Sequence, residues 1–159
     1  MQVVAHLLAA GGEIPNHPRW PLLIYPSVLA TPTPEAFEDL FSANQWPAAW
    51  RNGVFPFHHF HSTAHEALGV YSGEVTVQFG GSNGITVTAK PGDVIVLPAG
   101  TGHKKISSRG NLGIVGAYPA GQQADTCRPG ESYRDIGCVP LPAADPVHGS
   151  GGPLFRHWK

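Results

Sequence analysis

The sequence predicts an all-β body, a sandwich or small barrel, and three observations carry that expectation. Short apolar runs from Val54 onward are separated by Gly, Asn, Ser and Pro turn signals. Two of these runs alternate strictly, with Val75, Val77 and Phe79 set against Thr76 and Gln78, and Ile85, Val87 and Ala89 against Thr86 and Thr88. The 20 glycines and 16 prolines demand many turns, yet they follow no collagen-like period and sit in a chain that is 42% hydrophobic, which argues against disorder throughout. A length of 159 residues suits one domain with a real core, expected over 1–159.

From His6 to Pro34 the recurring prolines suit extended edges and turns, with an edge strand at Leu22–Tyr25. Thr33 can cap a helix, Pro34 fits its first turn, and Phe37, Leu40 and Phe41 repeat at helical spacing, so one short N-terminal helix is expected from Pro34 to about Asn44. Pro47 and Gly53 interrupt the stripe that Trp46 and Trp50 would otherwise extend. Strands are then expected at Val54–His61, Glu66–Tyr71, Glu74–Phe79, Ile85–Ala89, Val94–Leu97 and Leu112–Tyr118, with Gly80–Gly84 as a hairpin connection. Beyond Tyr118 the pattern fades into an irregular C-terminal tail that only Leu154, Phe155 and Trp158 could tie down.

Charge narrows the function classes. Ten Lys+Arg against 11 Asp+Glu leave no general footprint for nucleic acid or an anionic membrane. The apolar run Val3–Ala10 is too brief for a membrane span and has no basic leader, so the expected location is cytoplasmic. Cys127 and Cys138 form neither a disulfide framework nor a close CxxC pair, and a bridge between them is left open. Asp93, in Pro91-Gly92-Asp93, reads as a turn residue, and Gly73 and Gly92 as backbone geometry; no glycine-rich loop precedes a helix to cradle a phosphate.

The chemistry lies in the histidines. In extended chain His59 and His61 project to one side and His58 to the other, because side-chain direction has period two. Phe55 and Phe57 share the face of the pair, as an apolar floor that would limit water access. Glu66 returns on the next strand with Leu68 and Val70 on its face, and the turn Pro98–Gly102 presents His103 from a further strand. Three imidazoles and a carboxylate suit a divalent transition metal (Fe, Mn, Co, Ni, Cu or Zn) better than calcium or magnesium. Lys104 and Lys105 read as solvated surface, and Tyr71, Phe79 and Tyr118 individually as core packing.

The segment from Gly53 to Gly73, with His59, His61 and Glu66, resembles the first motif of the cupin superfamily. Gly92-Asp-Val-Ile-Val-Leu-Pro98-Ala-Gly100-Thr-Gly-His103 resembles the second, except that Ser107 stands where an Asn is usual. Together the motifs span 53–107. The surroundings also resemble a small bacterial branch of single-domain cupins. The resemblance implies a double-stranded β-helix, or jelly-roll barrel, with His59, His61, Glu66 and His103 as metal ligands.

It implies no single reaction, because the superfamily holds dioxygenases, isomerases, epimerases, decarboxylases and non-enzymatic binders. The leading expectation is a metal-dependent oxidoreductase of dioxygenase type acting on a small organic substrate, with His65, Tyr71, Phe55 and Phe57 as candidates to contact substrate or support the ligands. The alternatives are a non-catalytic metal-dependent binding or sensing protein and a metal-dependent isomerase or epimerase. A homodimer built through the Leu22–Tyr25 edge is a further expectation.

Overall fold

The computed structural model describes residues 2–159. Its frame is a curled antiparallel sheet of seven strands: β1 (Val4–His6), β2 (Leu22–Tyr25), β3 (Ala48–Asn52), β4 (Glu66–Phe79), β5 (Ile85–Ala89), β6 (Val94–Leu97) and β7 (His103–Ala117). They are hydrogen-bonded in the order β1-β2-β6-β4-β7-β3, with β5 added alongside β4. This is the all-β, jelly-roll architecture that the motifs imply.

Strand β4 is the spine. Its first residues, Glu66–Gly69, pair with β6, its last, Val75–Phe79, pair with β5, and its other edge follows β7. The sequence suggests two strands here, broken at Ser72-Gly73. The chain instead runs on, because Gly73 takes a φ of 71° and the bend is absorbed as register shifts around Ser72. A Cβ at Gly73 would lie 2.8 Å from the Arg109 carbonyl oxygen, so the close approach of β7 also requires glycine there.

Both faces of the sheet are covered, which explains why β6 reads Val-Ile-Val-Leu with no polar alternate. Leu68, Val70, Val75, Val77, Phe79, Ile95 and Leu97 fill the barrel interior. Leu23, Tyr25, Ala67, Val94, Val96 and Val115 face outward onto a second cluster. Helix α1 (Pro34–Ala43) covers part of that outer face, capped by Thr33, whose hydroxyl accepts from the Ala36 N–H at 3.0 Å. Phe37 of α1 lies over Gly69, where a Cβ would come within 2.7 Å of the ring.

Three expectations are corrected. Strand β2 is not an edge, because β1 pairs with it from Val4↔Ile24 to His6↔Leu22, which removes the proposed route to a homodimer. Val54–His61 is not a strand. Pro56 deprives that stretch of a backbone donor, and it is held by the isolated pairings His59↔His103 and Phe60↔Cys127 and by single backbone bonds to Gly100 and Lys105, while β3, just before it, takes the place beside β7. The segments expected as Glu66–Tyr71 and Glu74–Phe79 are one element, as described above.

The tail is irregular apart from a 3-10 turn at Ile136–Cys138 and a four-residue helix, α2 (Leu154–His157), yet it is built into the core. Trp158 stacks on Trp20 at 5.3 Å and donates its indole N–H to the Pro21 carbonyl at 2.9 Å. Asp145 is fully buried; Oδ2 accepts from the Tyr25 hydroxyl and the Leu154 N–H, and Oδ1 from the N–H groups of Val147 and His148. Cys127 and Cys138 are both free thiols. Among the described residues no helix is long and apolar enough to cross a membrane.

Candidate metal centre

His59, His61 and His103 meet at one end of the barrel interior, all three buried, with one ring nitrogen of each within 4.8 Å of the others. Three local devices bring them together. The turn Pro98–Gly102 delivers His103 onto the start of β7, where it exchanges two backbone hydrogen bonds with His59. The His61 carbonyl accepts from the Gly100 N–H at 2.7 Å, tying the His-x-His segment to the same turn. Glu66 opens β4 on the face of Leu68 and Val70, so its carboxylate enters from a neighbouring strand.

The imidazoles are oriented by the main chain. Nδ1 of His59 donates to the Phe57 carbonyl and Nδ1 of His103 to the Thr101 carbonyl, each at 3.0 Å; Nδ1 of His61 donates to the Asp125 carbonyl. A carbonyl can only accept, so each Nδ1 carries the proton and each neutral ring keeps its lone pair on Nε2. Oε1 of Glu66 lies 3.4 Å from Nε2 of both His61 and His103 and has no hydrogen-bond partner, although it is buried. An orphaned carboxylate oxygen beside imidazole lone pairs costs free energy unless a cation joins them.

Electrostatics agree with that geometry. Burial alone would raise the Glu66 carboxyl, but the facing His61 and His103 outweigh it and hold the acid below its ordinary range. Burial opposes a proton on His61 too, yet the Glu66 charge prevails and raises that imidazole to about 9. Burial, then the facing His103, pushes His59 down to about 3, so it stays neutral. In the metal-free cluster the Glu66 charge is therefore matched by a proton on His61, the place a cation would take.

These four side chains line a cavity of about 470 Å³ whose wall also includes Trp50, Phe55 and Lys105. The rest of its wall is largely apolar, with Val54 and Leu68 near the cluster and Tyr118 facing it. Tyr118 accepts the Trp50 indole N–H at 3.0 Å, and its ring meets His61 edge-on at 6.0 Å. Burial, then the Glu66 charge, raises its phenol above the ordinary value, so it keeps its proton. The residues present fit a divalent metal: three imidazole nitrogen donors, one of which gives up a proton to bind, one anionic oxygen donor and a cavity beside them.

Comparison with known proteins gives the family of the chain. The uncharacterized protein YjlB of Bacillus subtilis (strain 168) is 41% identical over 152 residues, which cover 92% of this chain and 91% of that one. The cupin-domain family pattern matches residues 50–110, a span that contains all four clustered side chains. The chain belongs to the cupin family. A DUF861 family protein of Thermotoga maritima, known from a crystal structure, shares 24% identity with this cupin, covering 60% of this chain and 96% of its own, with a TM-score of 0.37.

Not every residue the sequence singles out reaches this cupin's cavity. His65 is fully buried on the other side, where Nδ1 accepts from the Ala99 N–H, Nε2 donates to the Pro140 carbonyl, and the ring packs on Trp158 at 4.9 Å. Tyr71 likewise turns to the outer face and packs over Gly113. Phe55 and Phe57 stack on each other at 4.9 Å, but at the rim; Phe55 is 49% exposed and Arg128 caps Phe57 at 3.6 Å. Phe55 lines the cavity and Phe57 backs it from outside, where the sequence suggested that both form a floor. His58 stands apart from the cluster, as the alternation predicts.

The sequence reading missed Asp125 and took Lys105 for solvated surface, whereas Lys105 lines the cavity. Asp125 lies in the irregular tail, where no periodic signal marks it, yet its carbonyl orients His61 while its carboxylate accepts from the Ser62 N–H and hydroxyl. Lys105 is two residues after His103 on β7, and the same period of two that aims His103 inward was the available signal.

Proposed function

We propose that this cupin is a metal-dependent oxidoreductase of dioxygenase type, acting on a small organic substrate held in the 470 Å³ cavity. The observation that carries the metal is the set of three buried imidazoles, each with Nδ1 committed to a main-chain carbonyl, beside an orphaned Glu66 oxygen 3.4 Å from Nε2 of His61 and His103. His59, His61, Glu66 and His103 would hold a divalent transition metal. When bound, such an ion supplies Lewis acidity and open positions for a chelating substrate or dioxygen. The chain's own residues do the rest: Leu68 and Val54 keep water from the inner wall, and Phe55 shields the mouth.

The test is elemental analysis of anaerobically purified protein, followed by oxygen uptake of the Fe(II)-loaded protein with candidate substrates. Substrate-dependent oxygen consumption with an oxygenated product is expected. A protein that takes up no divalent metal at neutral pH would overturn the metal reading, and turnover without oxygen would overturn the oxidative one.

The Tyr118 phenol favours a second reading, an isomerase or epimerase. It accepts from Trp50, keeps its own proton and faces the cluster, so it can deliver a proton to a bound substrate. Incorporation of solvent deuterium into recovered substrate, lost in Tyr118→Phe, distinguishes this from oxygen chemistry.

A further inference from the structure

The cavity carries a recognition feature that metal binding does not use. Glu66 is its only carboxylate and belongs to the histidine cluster, while Lys105 is its only Lys or Arg. Lys105 has no carboxylate within salt-bridge distance among the described residues. It is half-buried on the wall, and its backbone N–H donates to the Phe55 carbonyl at 2.9 Å, so the Lys105 and Phe55 side chains spring from adjoining points of the cavity wall.

The aromatic pair stands beside it. Phe55 presents a large exposed ring held in place from behind by Phe57, which Arg128 caps in turn. Trp50 offers a further flat surface, fixed by its hydrogen bond to Tyr118. A preset aromatic wall with one unpaired cation suits a flat apolar body carrying one negative charge. A lone lysine is a point charge without the fork of an arginine, and no glycine-rich nest lies nearby. Both facts fit a carboxylate better than a phosphoryl group.

We propose that this cavity selects ring-bearing monocarboxylates, with Lys105 pairing the carboxylate and Phe55 and Trp50 packing the ring. The inference rests on the reading of the cavity as the substrate site and names its substrate class. Charge attraction by Lys105 does not require the metal, so the two readings fail separately.

The experiment titrates the full chain, metal-free and metal-loaded, with benzoate and with its neutral isostere benzamide, by calorimetry and by the fluorescence of Trp50 compared with a Trp50→Phe control. Metal content is measured on every sample. Wild type should bind benzoate about tenfold or more tightly than benzamide, and Lys105→Met should lose most of that preference while keeping its metal and its melting temperature. Lys105→Arg should restore the preference for the anion, and Phe55→Ala should weaken both probes alike. Equal affinity of wild type for the two probes, no saturable binding of benzoate at millimolar concentration, or an undiminished preference in Lys105→Met would each overturn the proposal. Absence of metal with benzoate selectivity intact would sink the metal reading alone.

Discussion

Oε1 of Glu66 stands 3.4 Å from Nε2 of His103, buried, with no hydrogen bond to relieve it. Each Nδ1 in the cluster is already spent on the main chain, so only a cation or a proton can satisfy the carboxylate from this side. His61→Ala should therefore lower affinity for a divalent metal by more than about 100-fold, since removing even an outer partner of a ligand costs 10–100-fold. His58→Ala should leave metal content near wild type. Elemental analysis after dialysis checks both, and equal metal in His61→Ala and wild type would refute the ligand assignment.

In the metal-free protein the proton fills the cation's place. With His61 raised to about 9, its ring is protonated at neutral pH and must lose that proton to ligate. Metal uptake at pH 7 should release about one proton, and affinity should fall about tenfold per unit as pH drops below 9. Calorimetry in buffers of different ionisation enthalpy measures the release. Uptake with no proton released at pH 7 would contradict it.

Asp125 acts on the cluster through His61. Its carboxylate accepts from the Ser62 N–H and hydroxyl while its carbonyl accepts from the His61 Nδ1–H, so the tail segment that bears it also aims the ring. Asp125→Ala should weaken metal binding by about 10–100-fold with little change in the far-ultraviolet spectrum. Ser62→Ala should weaken it less, because the Ser62 N–H still reaches the carboxylate. Wild-type affinity in Asp125→Ala would show that the carbonyl holds its place unaided.

Asp145 is the buried knot of the tail. Removing its carboxylate strands the Tyr25 hydroxyl and three backbone N–H groups without partners. Asp145→Ala should cost about 3 kcal/mol or more of unfolding free energy, at about 1–3 kcal/mol for each buried group left unsatisfied. Urea denaturation measures it, and a loss under about 1 kcal/mol would mean that water repairs the site.

Acid should loosen the same region. Burial, then the neighbouring Arg19, lowers His17 to about 4, and the ring stacks on Trp20 while Nδ1 accepts the Trp20 N–H. The unfolded chain takes up the His17 proton near pH 6.5, which the native chain refuses down to about 4. This contribution to stability is present above 6.5 and is lost as pH falls toward 4. His17→Gln should flatten the stability–pH slope in that window by about one proton. An unchanged slope would place the acid sensitivity elsewhere.

The parts legible in the sequence are those whose cause is local. The Thr33-Pro34 start of α1, the hairpin at Gly80–Gly84 and the inward aim of His59, His61, Glu66 and His103 follow from capping, turn chemistry and side-chain period. Residues whose surroundings come from far along the chain were not legible. His65 is buried because Pro140 and Trp158 cover it, and Leu22–Tyr25 loses its edge because Val4–His6 pairs with it. The break expected at Ser72-Gly73 and the strand expected at Val54–His61 share another cause. Glycine and proline mark where a chain can bend, and tertiary pairing decides whether the bend ends a strand.

The acceptors that hold the three imidazoles are peptide carbonyls of Phe57, Thr101 and Asp125, atoms that every amino acid carries. Exchanging those side chains cannot delete an acceptor; it can only shift the loop that bears it. Tautomer choice at the cluster is thus encoded in backbone path, and neighbouring positions are free to drift and reshape the cavity while the donor triad survives.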